Sequence, residues 1–101
     1  MPNMYVLDGH EPKRERDLIR WATWFEHADR IVARTVQDDV SVSTVFLGLD
    51  HGFGGKRLLF ETMVFGNYSE GDGERYATWD EAVEGHKRWV KRVFAPRQIV
   101  L

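Results

Sequence analysis

The sequence predicts an α+β domain, an antiparallel sheet of about four strands packed by two amphipathic helices. Three observations carry this. Residues 40–47 and 58–65 are two runs rich in β-branched and aromatic side chains, bounded by Gly and Asp, and they read as strands flanking a loop with four glycines. Between residues 14 and 28 the apolar spacing becomes helical, with Leu18, Trp21, Ala22, Phe25 and Ala28 on one stripe. A second stripe, Ala82, His86, Trp89, Val90, Val93 and Phe94, follows the capping sequence Thr78-Trp79-Asp80-Glu81. At 101 residues the chain suits one domain, residues 1–101, with 95–101 as a C-terminal tail.

The elements follow in order. Residues 4–7 are a short apolar run closed by the turn dipeptide Asp8-Gly9, with Pro12 soon after, and read as a first strand. The helix over 14–28 comes next, with Trp24 at the margin of its stripe. Residues 30–36 alternate, and Gln37-Asp38-Asp39 turns them into the strand at Val40, so an antiparallel hairpin is expected. Along 40–47, Val40, Val42, Thr44 and Phe46 share one face. Residues 40–47 and 58–65 are apolar on both faces toward one end. They are therefore expected at the sheet centre, with a helix over one face and other structure over the second. Residues 67–73 read as a polar loop and 74–77 as a short last strand. The second helix ends before Pro96, and the terminal Ile99-Val100-Leu101 is expected to dock on a sheet edge or a partner subunit.

Composition removes several functions. No cysteine is present, which excludes disulfides, thiolate metal sites and cysteine nucleophiles. The net charge of −2, with both signs interspersed, gives no global attraction to nucleic acid or anionic lipid. No apolar run approaches the roughly 18 residues of a membrane helix. The start lacks the basic and apolar regions of a signal peptide, so a cytoplasmic location is expected. The four histidines show no HxH or HExxH spacing, and neither a metal nor a cofactor is expected.

Chemistry-bearing residues concentrate at the glycine loop. Asp50-His51 opens it, an acid beside an imidazole suited to acid–base work, or a turn-stabilising carboxylate beside a solvent-facing ring. Gly52-Phe53-Gly54-Gly55-Lys56-Arg57 combines backbone freedom with two cations, without P-loop spacing. Phe53 reads as a plug folding back on the core or as a contact for a ligand or partner. His51, Phe53, Gly54, Lys56 and Arg57 are the candidate ligand- or partner-binding residues. Glu61, in a central strand, is a pocket acid, a partner of Arg34 or Arg57, or a carboxylate exposed at a gap in helix cover, and Thr44 and Thr62 are candidates to line the same pocket. His86, in an apolar stripe, reads as a hydrogen-bonded core residue. Lys87, Arg88, Lys91, Arg92 and Arg97 make the second helix basic at its end, opposite Asp80, Glu81 and Glu84, which the helix dipole favours without any ligand.

The blocks VSTVFLGLDHGFGG, LLFETMVFG and YATWDEAVEGH, with MYVLDGHEP and the WATWFE helix, resemble a functionally uncharacterised family of small proteins of tailed phages, prophages and bacterial genomes. The resemblance spans Met4 to about Val93. It implies a context and no catalytic residues. Where that family's loop carries proline after the glycines, Lys56-Arg57 stand here. The leading expectation is a non-enzymatic accessory protein binding a host protein or small ligand. The alternatives are a small enzyme with Asp50, His51 and Glu61 converging, and a weak nucleic-acid binder through the basic helix and Lys56-Arg57. A homodimer is independent of all three.

Overall fold

The computed structural model describes residues 3–66 and 73–94. The predicted loop core at 67–72 and the tail at 95–101, with Arg97, lie outside the described residues. Six strands and two helices follow as β1 (Tyr5–Asp8), β2 (Glu11–Arg14), α1 (Leu18–His27), β3 (Ile31–Gln37), β4 (Val40–Phe46), β5 (Phe60–Gly66), β6 (Gly73–Tyr76) and α2 (Trp79–Val93). β3–β4–β5–β6 form an antiparallel meander, and β1–β2 form a separate two-stranded hairpin. The α+β class and the central place of β4 and β5 are as the sequence predicts.

β2 is the unpredicted strand. Pro12 lies within it opposite Leu7, which a two-stranded ribbon tolerates because each strand has a free edge where a missing N–H costs nothing. Pairing of Arg14 with Tyr5 also moves the helix start from the expected residue 14 to Leu18. Asp17 caps it there, its Oδ1 accepting from Ile19 N at 2.9 Å and Arg20 N at 3.0 Å.

The packed face of α1 is rotated from the predicted stripe. Leu18 is 53% exposed and Ala22 is exposed, while Trp21, Trp24 and Phe25 are half-buried. Trp24 meets Phe46 edge-on with ring centroids 5.8 Å apart. Trp21 Nε1 donates to both Tyr5 O and Gly48 O, each at 3.1 Å. The indole thus ties α1 to β1 and to the residue that leaves β4.

α2 packs on the sheet face where Val42, Thr44, Phe46, Phe60 and Thr62 are fully buried. Tyr5, Leu59, Tyr76 and Ala82 complete the core cluster. The expected cover on the second face is not found among the described residues, where Ile31, Arg34, Val36, Met63 and Phe65 are exposed. The α2 start is half of the predicted capping box. Thr78 Oγ1 accepts from Glu81 N at 3.1 Å, but Glu81 Oε1 takes the Thr78 hydroxyl, not its backbone N–H.

Between α2 and the sheet runs a buried polar chain. His86 Nε2 lies 2.9 Å from Thr35 Oγ1 and His86 Nδ1 lies 2.7 Å from Thr44 Oγ1. Thr44 hydrogen-bonds its cross-strand partner Thr62, which accepts from the Tyr76 hydroxyl at 3.0 Å. Burial pushes the Tyr76 phenol up to about 12. The Tyr76 ring lies where a side chain at position 85 would stand, so only glycine fits at Gly85. The predicted hydrogen-bonded core role of His86 is observed. Thr44 and Thr62 line this chain and no pocket with Glu61, because alternate residues of β5 face opposite sides.

Candidate functional site

The site is built from the chain that leaves β4 and returns as β5. Asp50 fixes its base. One carboxylate oxygen accepts from Gly52 N at 2.8 Å and from Leu58 N at 3.1 Å, while His51 N donates to Leu58 O at 3.1 Å. The two ends are thereby held together by a charged acceptor, the stronger kind of hydrogen bond. A Cβ at Gly52 would overlap Lys56 O, so this tight crossing needs glycine. Gly54 and Gly55 turn the tip with φ of 63° and 83°, values open to glycine at no steric cost.

The tip presents Phe53, 92% exposed. The expected plug over the core is therefore incorrect. The chain reverses at the glycines beyond the braced base and carries the ring out into solvent. His51, Gly54 and Lys56 are likewise exposed. Asp50 takes the turn-stabilising role weighed for it.

Arg57 leaves the loop on its other side. Its guanidinium lies 5.4 Å from the Tyr5 ring centroid and 3.4 Å from the Tyr5 hydroxyl. That hydroxyl, with smaller contributions from Asp50 and Glu11, holds the Arg57 pKa above its usual value. Arg57 also lines an open cleft of about 450 Å³ between the β1–β2 turn and the start of α2, with Asp8, His10, Glu11, Thr78 and Trp79. His10 stacks on Trp79 with centroids 3.8 Å apart and planes 5° from parallel. The sequence reading missed both rings as a pair. Nothing local marks it, because only the unpredicted β1–β2 hairpin carries His10 across to α2.

Glu61 is elsewhere. It faces away from α2 and bonds Arg75 across the β5–β6 pair at 2.8 Å, so the expected partners Arg34 and Arg57 are corrected to Arg75. The register explains this, since Glu61 stands directly opposite Arg75. No hydrogen bond among the described residues joins any two of Asp50, His51 and Glu61. Three of the four α2 cations are engaged internally. Lys87 pairs with Glu84 at 3.3 Å, Arg88 with Glu74 at 3.2 Å, and Arg92 lies over the Trp89 ring. Burial raises the Glu74 carboxyl, but hydrogen bonds from Tyr76, Trp89 and Arg88 outweigh it and leave the group below its ordinary value. Among the described residues no group of three acids or histidines is placed to hold a metal ion, and no helix is long and apolar enough to cross a membrane.

No protein-family model, no curated protein and no solved structure matches this chain.

Proposed function

We propose that this chain is a small accessory protein of the phage and prophage type, a non-enzymatic module that binds a host protein through the residue 50–57 loop. The observation that carries the reading is Phe53, 92% exposed at the tip of a loop whose base is closed by Asp50. An aromatic held out in water gains free energy on burial, and a braced loop loses less conformational freedom when it binds. His51 and Lys56 flank the ring and supply a polar rim. The likeness of the central blocks to small phage proteins supports the cellular context.

The test is capture from bacterial lysate by a tagged chain, with the triple variant His51→Ala, Phe53→Ala, Lys56→Ala run in parallel. The wild type is expected to retain a stoichiometric partner that the variant loses, while circular dichroism and thermal midpoint stay unchanged. Equal capture by both proteins refutes the loop as the binding surface. A small molecule released on denaturing the wild type, in place of a protein, refutes the class of partner.

A further inference from the structure

Two like charges face each other at the cleft beside Arg57. The β1–β2 register sets Asp8 directly opposite Glu11, and like charges in a cross-strand pair are destabilising. Neither carboxylate forms an ion pair among the described residues. Both line the cleft, and Asp80 lines it from the first turn of α2. Glu11 is near enough to add to the field at the Arg57 guanidinium, after Tyr5 and Asp50, yet no ion pair joins the two. A cation and a surplus of acids thus border one open space of about 450 Å³ without closing on each other.

The remaining wall is apolar and held in place. Leu59 is 1% exposed and Pro12 is half-buried. His10 stacks on Trp79, which meets Phe60 edge-on with ring centroids 6.2 Å apart. Arg57 is positioned in advance against the buried Tyr5, and a guanidinium has five N–H donors, so one contact leaves the others for a ligand.

We propose that this cleft binds a free α-amino acid with an aromatic side chain, its carboxylate on Arg57, its ammonium between Asp8 and Glu11, and its ring against Leu59 and the His10–Trp79 pair. An α-amino acid carries both charges on one carbon, so a single small molecule answers both signs. A phosphate would meet Arg57 but crowd the unpaired acids. A simple amine, or the amino terminus of a peptide, leaves Arg57 unanswered. Among the described residues no three acids or histidines are placed to hold a metal ion. The volume lies within the roughly 300–1,000 Å³ of small-ligand sites. This site goes beyond the loop contact proposed above and does not depend on it, since His51, Phe53 and Lys56 take no part in it.

Amide spectra of the nitrogen-labelled chain, titrated with phenylalanine and three analogues, test the assignment. Phenethylamine lacks the carboxylate, hydrocinnamate lacks the ammonium and alanine lacks the ring. Phenylalanine is expected to shift the amides of Asp8, Glu11, Arg57 and Trp79 saturably, with a Kd of about 1 mM or below. Each analogue should bind about tenfold more weakly or worse, the scale of one lost charge-assisted hydrogen bond or a lost ring contact. Arg57→Gln should weaken phenylalanine without weakening phenethylamine, and Glu11→Gln should weaken both without weakening hydrocinnamate. No saturable shift at about 10 mM phenylalanine, shifts confined to other residues, or equal binding of all four compounds overturns the proposal. A variant that weakens every compound alike overturns the pairing assigned to its charge. The wild-type comparison decides even where a variant does not fold.

Discussion

Thr44 and Thr62 allow the polar chain to be weighed as a network. Both are fully buried, and each hydroxyl touches two partners, Thr62 and His86 for one, Thr44 and Tyr76 for the other. Thr→Val keeps the shape and removes the hydroxyl. Each single variant forfeits hydrogen bonds worth roughly 1 kcal/mol apiece and strands at least one buried partner. A loss of about 2–3 kcal/mol per single variant is expected on that arithmetic. The double variant loses the Thr44–Thr62 bond only once and strands neither threonine against the other. Its cost should fall short of the sum by about 1 kcal/mol or more, within the range seen for residues sharing one network. Equilibrium urea denaturation of all four proteins at pH 7.5 measures this, with the slope m unchanged as the sign that only stability moved. Additivity within about 0.5 kcal/mol, or single losses below that, would show that the hydroxyls are not coupled.

Two further substitutions probe how the site is held. Gly85→Ala places a methyl against the Tyr76 ring. An exposed helix interior would gain up to about 1 kcal/mol from this change, so a measured loss of about 1–3 kcal/mol, the scale of overpacking, verifies that the helix and ring lie in contact. Asp50→Ala removes the acceptor for Gly52 N and Leu58 N, and a loss of about 1–3 kcal/mol is expected. Amide exchange should rise first at Gly52 and Leu58. Unchanged exchange there would mean that the carboxylate does not close the loop.

The strands of the meander were legible because β-branched runs, alternation and the Gln37-Asp38-Asp39 turn all agree on one answer. The α2 start was legible for the same reason, since Thr78 and the stripe after it coincide. β2 was not, because Glu11-Pro12-Lys13-Arg14 has no apolar period and proline argues against a strand. Only pairing with β1 makes it one. The rotation of the α1 face has a similar cause. Trp24 is recruited by Phe46, a contact that depends on where α1 sits against the sheet and leaves no trace in helical spacing. At the site, Asp50 as a turn brace was readable from residue type, whereas the partner of Glu61 depended on strand register. Phe53 could be read either way from its glycine neighbours, and the path of the chain between Asp50 and Leu58 decides it.

Two apolar surfaces are candidates for the proposed partner contact, and their geometry separates them. On the open sheet face, Ile31, Val36, Met63 and Phe65 are 40–56% exposed, and they are interspersed with Ser41, Ser43, Arg34 and the Glu61–Arg75 pair. Such a pattern leaves apolar atoms lying in water as scattered units, which is ordinary for a protein surface. Phe53 differs in kind. It projects from a segment closed at its base by Asp50, so the ring is offered without the backbone disorder that a glycine-rich tip would otherwise bring. Loop ordering is a principal cost of association, and here it is met during folding, by hydrogen bonds that do not involve the ring. That division gives Asp50 and Phe53 separable roles. Loss of Asp50 should weaken binding through the loop's freedom, and loss of Phe53 should abolish contact while the fold stays intact.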